Sequence, residues 1–171
     1  MNQTPSRAIV SVILEKEENG TRYVYLQTRF KPKTSPAYTG LLEIPAGGIE
    51  GYEDVLETVK REVEEETGLK VGKFIGNLEE QIEENIAGNK VKIFQPFVCQ
   101  QMLSSNGGLP WVGFVFRCQV QGEIKINLEE AKDPRWISLP DLKKILSDSP
   151  ASIFPLQYPV LKYYVDNCET V

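Results

Sequence analysis

Hydrophobic residues alternate with polar ones, or form short apolar runs, along most of this chain. Two such segments, residues 8–14 and 23–28, flank the dipeptide Asn19-Gly20, which favours a hairpin turn because both residues tolerate positive φ. Residues 31–40, rich in Pro, Ser and Thr, predict a loop. Later segments of the same kind predict strands at residues 41–44, 71–78, 90–99, 111–120 and 135–139.

One segment instead has the period of an amphipathic helix, with apolar residues three or four positions apart. Asp54 before this segment is typical of a helix start, and Gly68 after it is typical of a helix end. Two shorter helices are predicted at residues 140–146 and 159–167, each beginning at a proline. Because strands dominate and no repeat or linker interrupts them, the pattern predicts an α+β layered fold.

Size and composition narrow the class of protein. The chain has 171 residues, 41% hydrophobic and 25% charged, which is typical of one globular domain spanning residues 1–171. A net charge of −5 gives no support for binding nucleic acid or an acidic membrane. Neither a signal peptide nor a membrane span is expected from the N-terminal pattern. Three widely spaced cysteines are typical of reduced thiols in the cytoplasm.

The predicted long helix is rich in glutamate, and its glutamates differ in angular position. At about 100° per residue from the first valine, the apolar stripe is centred at about 60°. Glu62 and Glu66 fall at about −20° and about 20°, along the edge of that stripe, with Glu65 at about −80°. Most glutamate runs are solvated helix faces, and Glu57 and Glu64 fit that interpretation. The other three carboxylates are unfavourable so close to a core unless a positive charge lies between them.

A divalent cation is the simplest source of that charge. Carboxylate ligands without nitrogen or sulfur suit Mg²⁺ or Mn²⁺. The chain contains no histidine, which argues against a conventional zinc or non-haem iron site.

The same segment carries a spaced motif. Between Gly47 and Leu69 the chain reads GGIEGYEDVLETVKREVEEETGL, which fits the spacing G-x5-E-x7-R-E-U-x-E-E-x-G-U with U an aliphatic residue. Chance agreement at all constrained positions is expected on the order of once in 10⁸ chains of this size. The chain therefore resembles the Nudix hydrolases. The resemblance implies an α/β/α sandwich around a mixed sheet and metal-dependent hydrolysis of a nucleoside diphosphate linked to another moiety.

Roles for individual residues follow from this resemblance. The implied metal ligands are the carboxylates of Glu62, Glu65 and Glu66 and the backbone carbonyl of Ala46. Glu65 is either a ligand itself or a partner of one. Gly47 lets the loop pass close to the metal, and with Gly48 it is expected to contact substrate. Arg61 and Glu53 are expected to form an ion pair that orients the helix carboxylates; the alternative is an exposed pair that contributes little to stability.

The residue that deprotonates the attacking water is open at this stage. Some members of the family use a glutamate of the motif, here Glu65, and others use an acid on a later loop. On that loop we favour Glu130, although Glu129 and Asp133 lie close to it in sequence. A solvated loop is an equally good interpretation for any one of these three acids.

The substrate is indicated only by the segment that leads into the motif. Its E-x-P-A-G run at residues 43–47 resembles that of the ADP-ribose and nucleoside-diphosphate-sugar pyrophosphatases. Basic candidates for phosphate binding just before it are Arg29, Lys31 and Lys33. Tyr38 or Phe30 is a candidate for stacking on a base, although single aromatic residues near strand ends more often belong to a core.

Two other functions stay open, and so does the assembly. One is a housecleaning pyrophosphatase of nucleoside triphosphates, and the other is a non-enzymatic Nudix-fold ligand sensor. The expected partner is a small-molecule nucleotide diphosphate. A homodimer through residues 79–99 is a further hypothesis, while the acidic residues 79–84 are interpreted as a solvated loop.

Overall fold

The computed structural model describes residues 6–76, 83–103 and 109–168. Its strands are β1 (Arg7–Glu18), β2 (Thr21–Arg29), β3 (Leu42–Glu43), β4 (Ala46–Gly48), β5 (Lys70–Ile75), β6 (Glu83–Ile86), β7 (Asn89–Lys92), β8 (Val98–Gln101), β9 (Trp111–Gln121) and β10 (Ala131–Ser138). Its α-helices are α1 (Val55–Thr67), α2 (Leu139–Asp148) and α3 (Tyr158–Asn167). Within these described ranges, no helix has the length and apolar character needed to cross a membrane.

A mixed sheet forms the centre of the molecule. Its strand order is β10-β2-β1-β9-β5, with β3 paired to β2, β4 to β1 and β8 to β9. The long strands β1 and β9 are parallel, whereas the other pairings in this sheet are antiparallel. The predicted α+β class with a mixed sheet is therefore confirmed.

Helices cover both faces of this sheet. Because successive side chains of a strand point to opposite faces, β1 contributes to two separate cores. Ile13 packs in the core that includes α2 and α3 residues, whereas Val12 and Leu14 pack in the core that includes α1 residues. The result is the predicted α/β/α sandwich, with α1 on one side of the sheet and α2 and α3 on the other.

Helix α1 begins and ends where the sequence predicts. The Asp54 side chain accepts hydrogen bonds from the backbone N–H groups of Leu56 and Glu57, and thereby caps the first turn. Gly68 ends the helix with φ of 73°, in the left-handed region that glycine adopts without strain. The predicted hairpin turn after β1 is also present, with positive φ at Asn19 and Gly20.

The segment predicted as one strand over residues 90–99 is instead two. Strand β7 pairs with β6 in a separate two-stranded sheet, and β8 joins the central sheet beside β9. Pro96 lies between them and cannot donate a hydrogen bond to a strand ladder. The acidic segment 79–84, interpreted as a solvated loop, enters β6 at Glu83. Residues 79–82, and residues 77 and 78 at the predicted end of the preceding strand, lie outside the described residues. Residues 104–108 also lie outside the described residues.

Candidate active site

The site is assembled where strand β4 delivers its backbone to helix α1. Strand β4 pairs antiparallel with β1, so that Gly47 lies opposite Val10. Ile44, two residues before β4, is held by the side chain of Gln157. The Gln157 amide accepts from the Ile44 N–H at 2.8 Å and donates to the Ile44 carbonyl at 2.9 Å. These contacts fix the path of the loop into the helix.

Gly47 is the point of closest approach between the loop and the helix. A Cβ atom built on Gly47 would lie 1.9–2.1 Å from the carboxylate atoms of Glu62. No side chain larger than hydrogen fits there while Glu62 keeps its place. Gly48, by contrast, has open space where a Cβ would be.

Arg61 is the centre of a charge network at the surface end of the site. Its guanidinium donates to both oxygens of Glu53, at 2.8 and 3.0 Å, and to the backbone carbonyl of Gly48 at 3.0 Å. It also donates to Glu62 at 2.7 Å and to Glu65 at 3.2 Å. The hydrogen bonds from Arg61 lower the pKa of Glu53 to about 2. The predicted Arg61–Glu53 pair is present, and it ties the loop to the helix.

Glu62 and Glu66 are buried at 9% and 5% exposure, one helical turn apart. Burial raises the pKa of Glu62 above its ordinary value, although Arg61 opposes that effect. Burial raises the pKa of Glu66 further, to about 8, with Lys31 opposing it. Gln27 Nε2 donates to Glu66 Oε2 at 2.8 Å, and Lys31 Nζ lies 3.9 Å from Glu66 Oε1.

Glu65 does not share this environment. Its side chain is 60% exposed and turns toward Arg61, so the expectation that three carboxylates crowd the core edge is wrong for Glu65. Glu57 and Glu64 are exposed, as predicted. Within the described ranges, no three Asp, Glu or Cys side chains close around a common centre. Arg61 donates to Glu62 and Glu65, and Gln27 donates to Glu66.

The donor set nevertheless fits a divalent cation. Two buried carboxylates lie one turn apart on α1, and one of them, Glu62, occupies the space where a side chain at position 47 would be. Buried carboxylates are unfavourable without a compensating charge, and oxygen donors of this kind suit hard cations.

An open cleft of about 920 Å³ runs beside this loop. Ala46, Gly47 and Gly48 line it together with the cations Arg29 and Lys31. Its apolar wall comes from residues far apart in the chain, namely Ile9, Met102, Leu109, Trp111, Phe154 and Leu156. The cleft therefore brings the loop that contacts the Glu62 carboxylate together with an apolar surface and three cations, since Arg7 lines it as well.

The predicted substrate residues divide between this cleft and other places. Arg29 lines the cleft, donates to Glu43 at 2.8 Å and lies 4.7 Å over the ring of Phe154. Tyr38 is not among the cleft-lining residues; its ring packs edge-on against Phe154 at 5.2 Å, so the predicted direct stacking role is not supported. Phe30 and Lys33 line a different pocket, with Lys132 Nζ over the Phe30 ring.

Glu130 is connected to the site through Lys31. The Lys31 ammonium lies 2.7 Å from Glu130 Oε2 and reaches toward Glu66 from the same position. Glu129 and Asp133 are exposed. The Glu129 backbone N–H donates to Asn127, and the Asp133 backbone carbonyl accepts from Arg135. Of the three acids on this loop, Glu130 is thus the one that the structure links to Glu66 on α1, through Lys31.

Several site residues were missed by the sequence analysis. Gln27 gives a faint signal, because it is a polar residue near the end of an apolar strand. Phe154, Trp111 and Gln157 give none, because their roles depend on chain segments that meet only in the fold.

Comparison with known proteins agrees with this geometry. The model of the NUDIX domain family matches residues 5–157. Among solved structures, a MutT protein from Methanosarcina mazei Go1 superposes with a TM-score of 0.64 at 20% identity, covering 100% of both chains. The NUDIX domain of Shewanella oneidensis NrtR, complexed with ADP ribose, gives 0.58 at 17% identity, covering 82% of this chain and 77% of that one.

A Caenorhabditis elegans Ap4A hydrolase in a binary complex gives a TM-score of 0.51 at 12% identity, covering 96% of this chain and 99% of that one. No match was found among curated protein sequences. The chain belongs to the Nudix family, and as a Nudix hydrolase it acts on a phosphoric anhydride.

Proposed function

We propose that this protein hydrolyses the pyrophosphate link of a nucleoside diphosphate joined to another moiety, most closely ADP-ribose or a nucleoside diphosphate sugar. The observation that carries this is the cleft, which places three cations and an apolar wall beside the loop that contacts the buried Glu62 carboxylate. A nucleoside diphosphate joined to a sugar has the matching parts, namely two phosphates for the cations and a flat base for the apolar wall, with the sugar as a second polar group.

Glu62, Glu66 and the backbone carbonyl of Ala46 would hold Mg²⁺ or Mn²⁺, with Glu65 as a further ligand or as a partner of Glu62 through Arg61. A divalent ion bound there supplies positive charge to the phosphates and acidity to water. Arg61 prevents Glu62 from swinging away by holding it and Glu53 together. Gly47 keeps the loop in contact with the Glu62 carboxylate.

The cleft cations serve the phosphates. Arg29 is fixed by Glu43 and by the ring of Phe154, so its planar guanidinium is oriented before substrate arrives. Lys31 is shared between Glu66 and Glu130 and can neutralise charge that develops as the anhydride breaks.

The apolar wall serves the nucleoside. Trp111 and Phe154 present aromatic surface in the cleft, and stacking on a base is favourable for such side chains. The E-x-P-A-G lead-in at residues 43–47 supports a diphosphate linked to a sugar. The ADP ribose bound to the similar NrtR domain supports the same substrate class.

In the reaction, a water oxygen bonds to one phosphorus, the bridging P–O bond breaks, and the proton of that water passes to a carboxylate. Two groups are candidates for accepting it. Glu65 is solvent-accessible beside the network of Arg61, and Glu130 meets the site through Lys31. Comparing kcat for Glu65→Gln and Glu130→Gln separates them, because loss of a general base typically costs on the order of 10²–10⁴-fold.

A product analysis tests the proposed substrate class. The full chain is incubated with Mg²⁺ or Mn²⁺ and, separately, ADP-ribose, a nucleoside diphosphate sugar, a dinucleoside polyphosphate and the nucleoside triphosphates. Cleavage of ADP-ribose into two monophosphates with the highest kcat/KM is the expected result. Release of inorganic pyrophosphate from a triphosphate as the best reaction would overturn the proposal in favour of a housecleaning enzyme.

We also propose a cytoplasmic location for the protein. All three cysteines are free thiols in the structure, and Cys118 and Cys168 are buried. Free thiols are typical of a reducing compartment.

A further inference from the structure

We propose that Gln27 is a positioning residue for the metal-binding carboxylate Glu66, and that Tyr25 fixes Gln27 in the orientation this requires. The inference rests on the proposed metal site. It adds two residues that lie outside the Nudix motif, on strand β2 at the opposite side of the buried core from α1.

Strand geometry brings these residues to one face. Tyr25 and Gln27 are two positions apart on β2, so both side chains point to the same side of the sheet, where Tyr25 packs in the core that includes α1 residues. The Tyr25 hydroxyl donates to Gln27 Oε1 at 3.0 Å. Gln27 Nε2 then donates to Glu66 Oε2 at 2.8 Å. Tyr25 and Gln27 have no exposed surface.

This chain of hydrogen bonds has a direction. An amide has a donor end and an acceptor end, and an ionised carboxylate accepts only. Because the Tyr25 hydroxyl occupies the oxygen end of Gln27, the N–H end is left facing Glu66. The Tyr25 ring is itself held edge-on against Trp136 at 5.7 Å between centroids. The amide is therefore kept from turning its oxygen toward the carboxylate.

The neutrality of Gln27 matters for its role. A lysine or arginine at this position would neutralise Glu66 permanently and compete with a cation. Gln27 instead holds one carboxylate oxygen, Oε2, without cancelling the charge. The other oxygen, Oε1, faces Lys31 Nζ at 3.9 Å, beyond hydrogen-bond distance. The carboxylate is thus oriented on one side and left available on the other.

The test measures binding of Mn²⁺ alone to the full-length parent, Gln27→Met and Tyr25→Phe, by calorimetric titration. Met keeps similar volume and removes the hydrogen bonds of the amide, including the one to Glu66. Groups that hold a metal ligand in place typically contribute 10- to 100-fold in affinity, so Gln27→Met should weaken Mn²⁺ binding by about 10-fold or more. Tyr25→Phe should weaken it by a smaller factor, because the amide is kept but is free to turn.

Tyr164→Phe is the matched control. Tyr164 is also fully buried, but it packs in the core on the other face of the sheet with α2 and α3. The Tyr164→Phe variant should bind Mn²⁺ with the same affinity as the parent. Activity at rising Mn²⁺ gives a second readout: Gln27→Met should need about 10-fold more Mn²⁺ for half-activation, with kcat at saturation within about threefold of the parent. A residue that only supports the fold would change melting temperature without this split.

Parent-like Mn²⁺ affinity in Gln27→Met would overturn the positioning role. Glu66→Gln tests the underlying metal site separately. If Glu66→Gln loses Mn²⁺ binding while Gln27→Met keeps it, only the positioning role fails. If Glu66→Gln also binds Mn²⁺ like the parent, the proposed metal site itself fails.

Discussion

Glutamates that lie within five positions of one another on α1 have different environments because the helix turns each one to a different neighbour. Glu62 and Glu66 are buried against the loop and the sheet, whereas Glu64 and Glu65 are each 60% exposed. Removing a carboxylate from water without a partner costs several kcal/mol or more. At the residue scale, this difference in burial separates the two glutamates proposed as metal ligands from the two that are solvated.

Neutral substitutions along the helix test that separation. Glu62→Gln and Glu66→Gln keep the side-chain size but remove a charged ligand, and each should lower kcat by roughly 100-fold or more. Glu64→Gln is the matched control, because Glu64 is exposed and its nearest cation, Lys70, is 3.8 Å away at the surface. Steady-state kinetics with ADP-ribose and Mg²⁺ measure all three, with circular dichroism to verify folding. Equal damage from Glu64→Gln would mean that the assignment of helix faces is wrong.

At the scale of elements, the loop and the helix form one unit. Strand β4 is held by β1, Arg61 binds the carbonyl of Gly48, and the Glu62 carboxylate fills the space beside Gly47. A change in the loop is therefore transmitted to the carboxylate on the helix.

Gly47→Ala should move the Glu62 carboxylate without unfolding the protein. The added Cβ would lie 1.9–2.1 Å from that carboxylate, which must shift and strain its hydrogen bond from Arg61 to make room. A displacement of about 1 Å in an active site can cost on the order of 100-fold in rate, so kcat/KM should fall by at least about 10-fold. Gly48→Ala is the control, since its Cβ meets open space, and should stay within about threefold of the parent. Parent-like kinetics for Gly47→Ala would contradict this coupling.

The elements differ in how well the sequence predicts them, and the reason is the range of the interactions involved. Helix α1 is predicted to the residue because Asp54 and Gly68 are local signals read within one turn. The division of residues 90–99 into two strands is not predicted, because the pattern of a strand does not indicate which other strand it pairs with. Pro96 was the available local sign of that break.

At the scale of the whole molecule, the cleft joins parts of the chain that no local pattern connects. The motif residues lie within one stretch and were all located from their spacing. Trp111 and Phe154 reach the same cleft only because β9 pairs with β1 and because the Phe154 N–H donates to the Leu42 carbonyl at 2.8 Å. The glutamates proposed as metal ligands were therefore predictable, whereas the apolar wall of the cleft and Gln27 required the fold.

The buried charge also governs the stability of the whole molecule as a function of pH. In metal-free protein, burial raises the pKa of Glu66 to about 8, whereas an unfolded glutamate loses its proton at about pH 4.3. Between these values the unfolded state binds fewer protons than the folded state, so the free energy of unfolding decreases as pH rises. This loss begins at the unfolded pKa and is complete above the folded one.

Glu66→Gln removes the titrating carboxyl group, so the difference in melting temperature between this variant and the parent should isolate the contribution of Glu66. In chelator, the melting temperature of Glu66→Gln minus that of the parent should increase steadily from pH 5 to pH 8 and level off above pH 8. Glu64→Gln, at an exposed position, is the control, and its melting-temperature difference from the parent should not show this rise. Saturating Mg²⁺ should oppose the trend in the parent alone, because the ion binds the ionised carboxylate and stabilises the folded state by mass action. A melting-temperature difference that stays flat across this pH range would mean that Glu66 is ionised and already paired in the metal-free protein, which would make it a structural partner of Lys31 instead of a metal ligand.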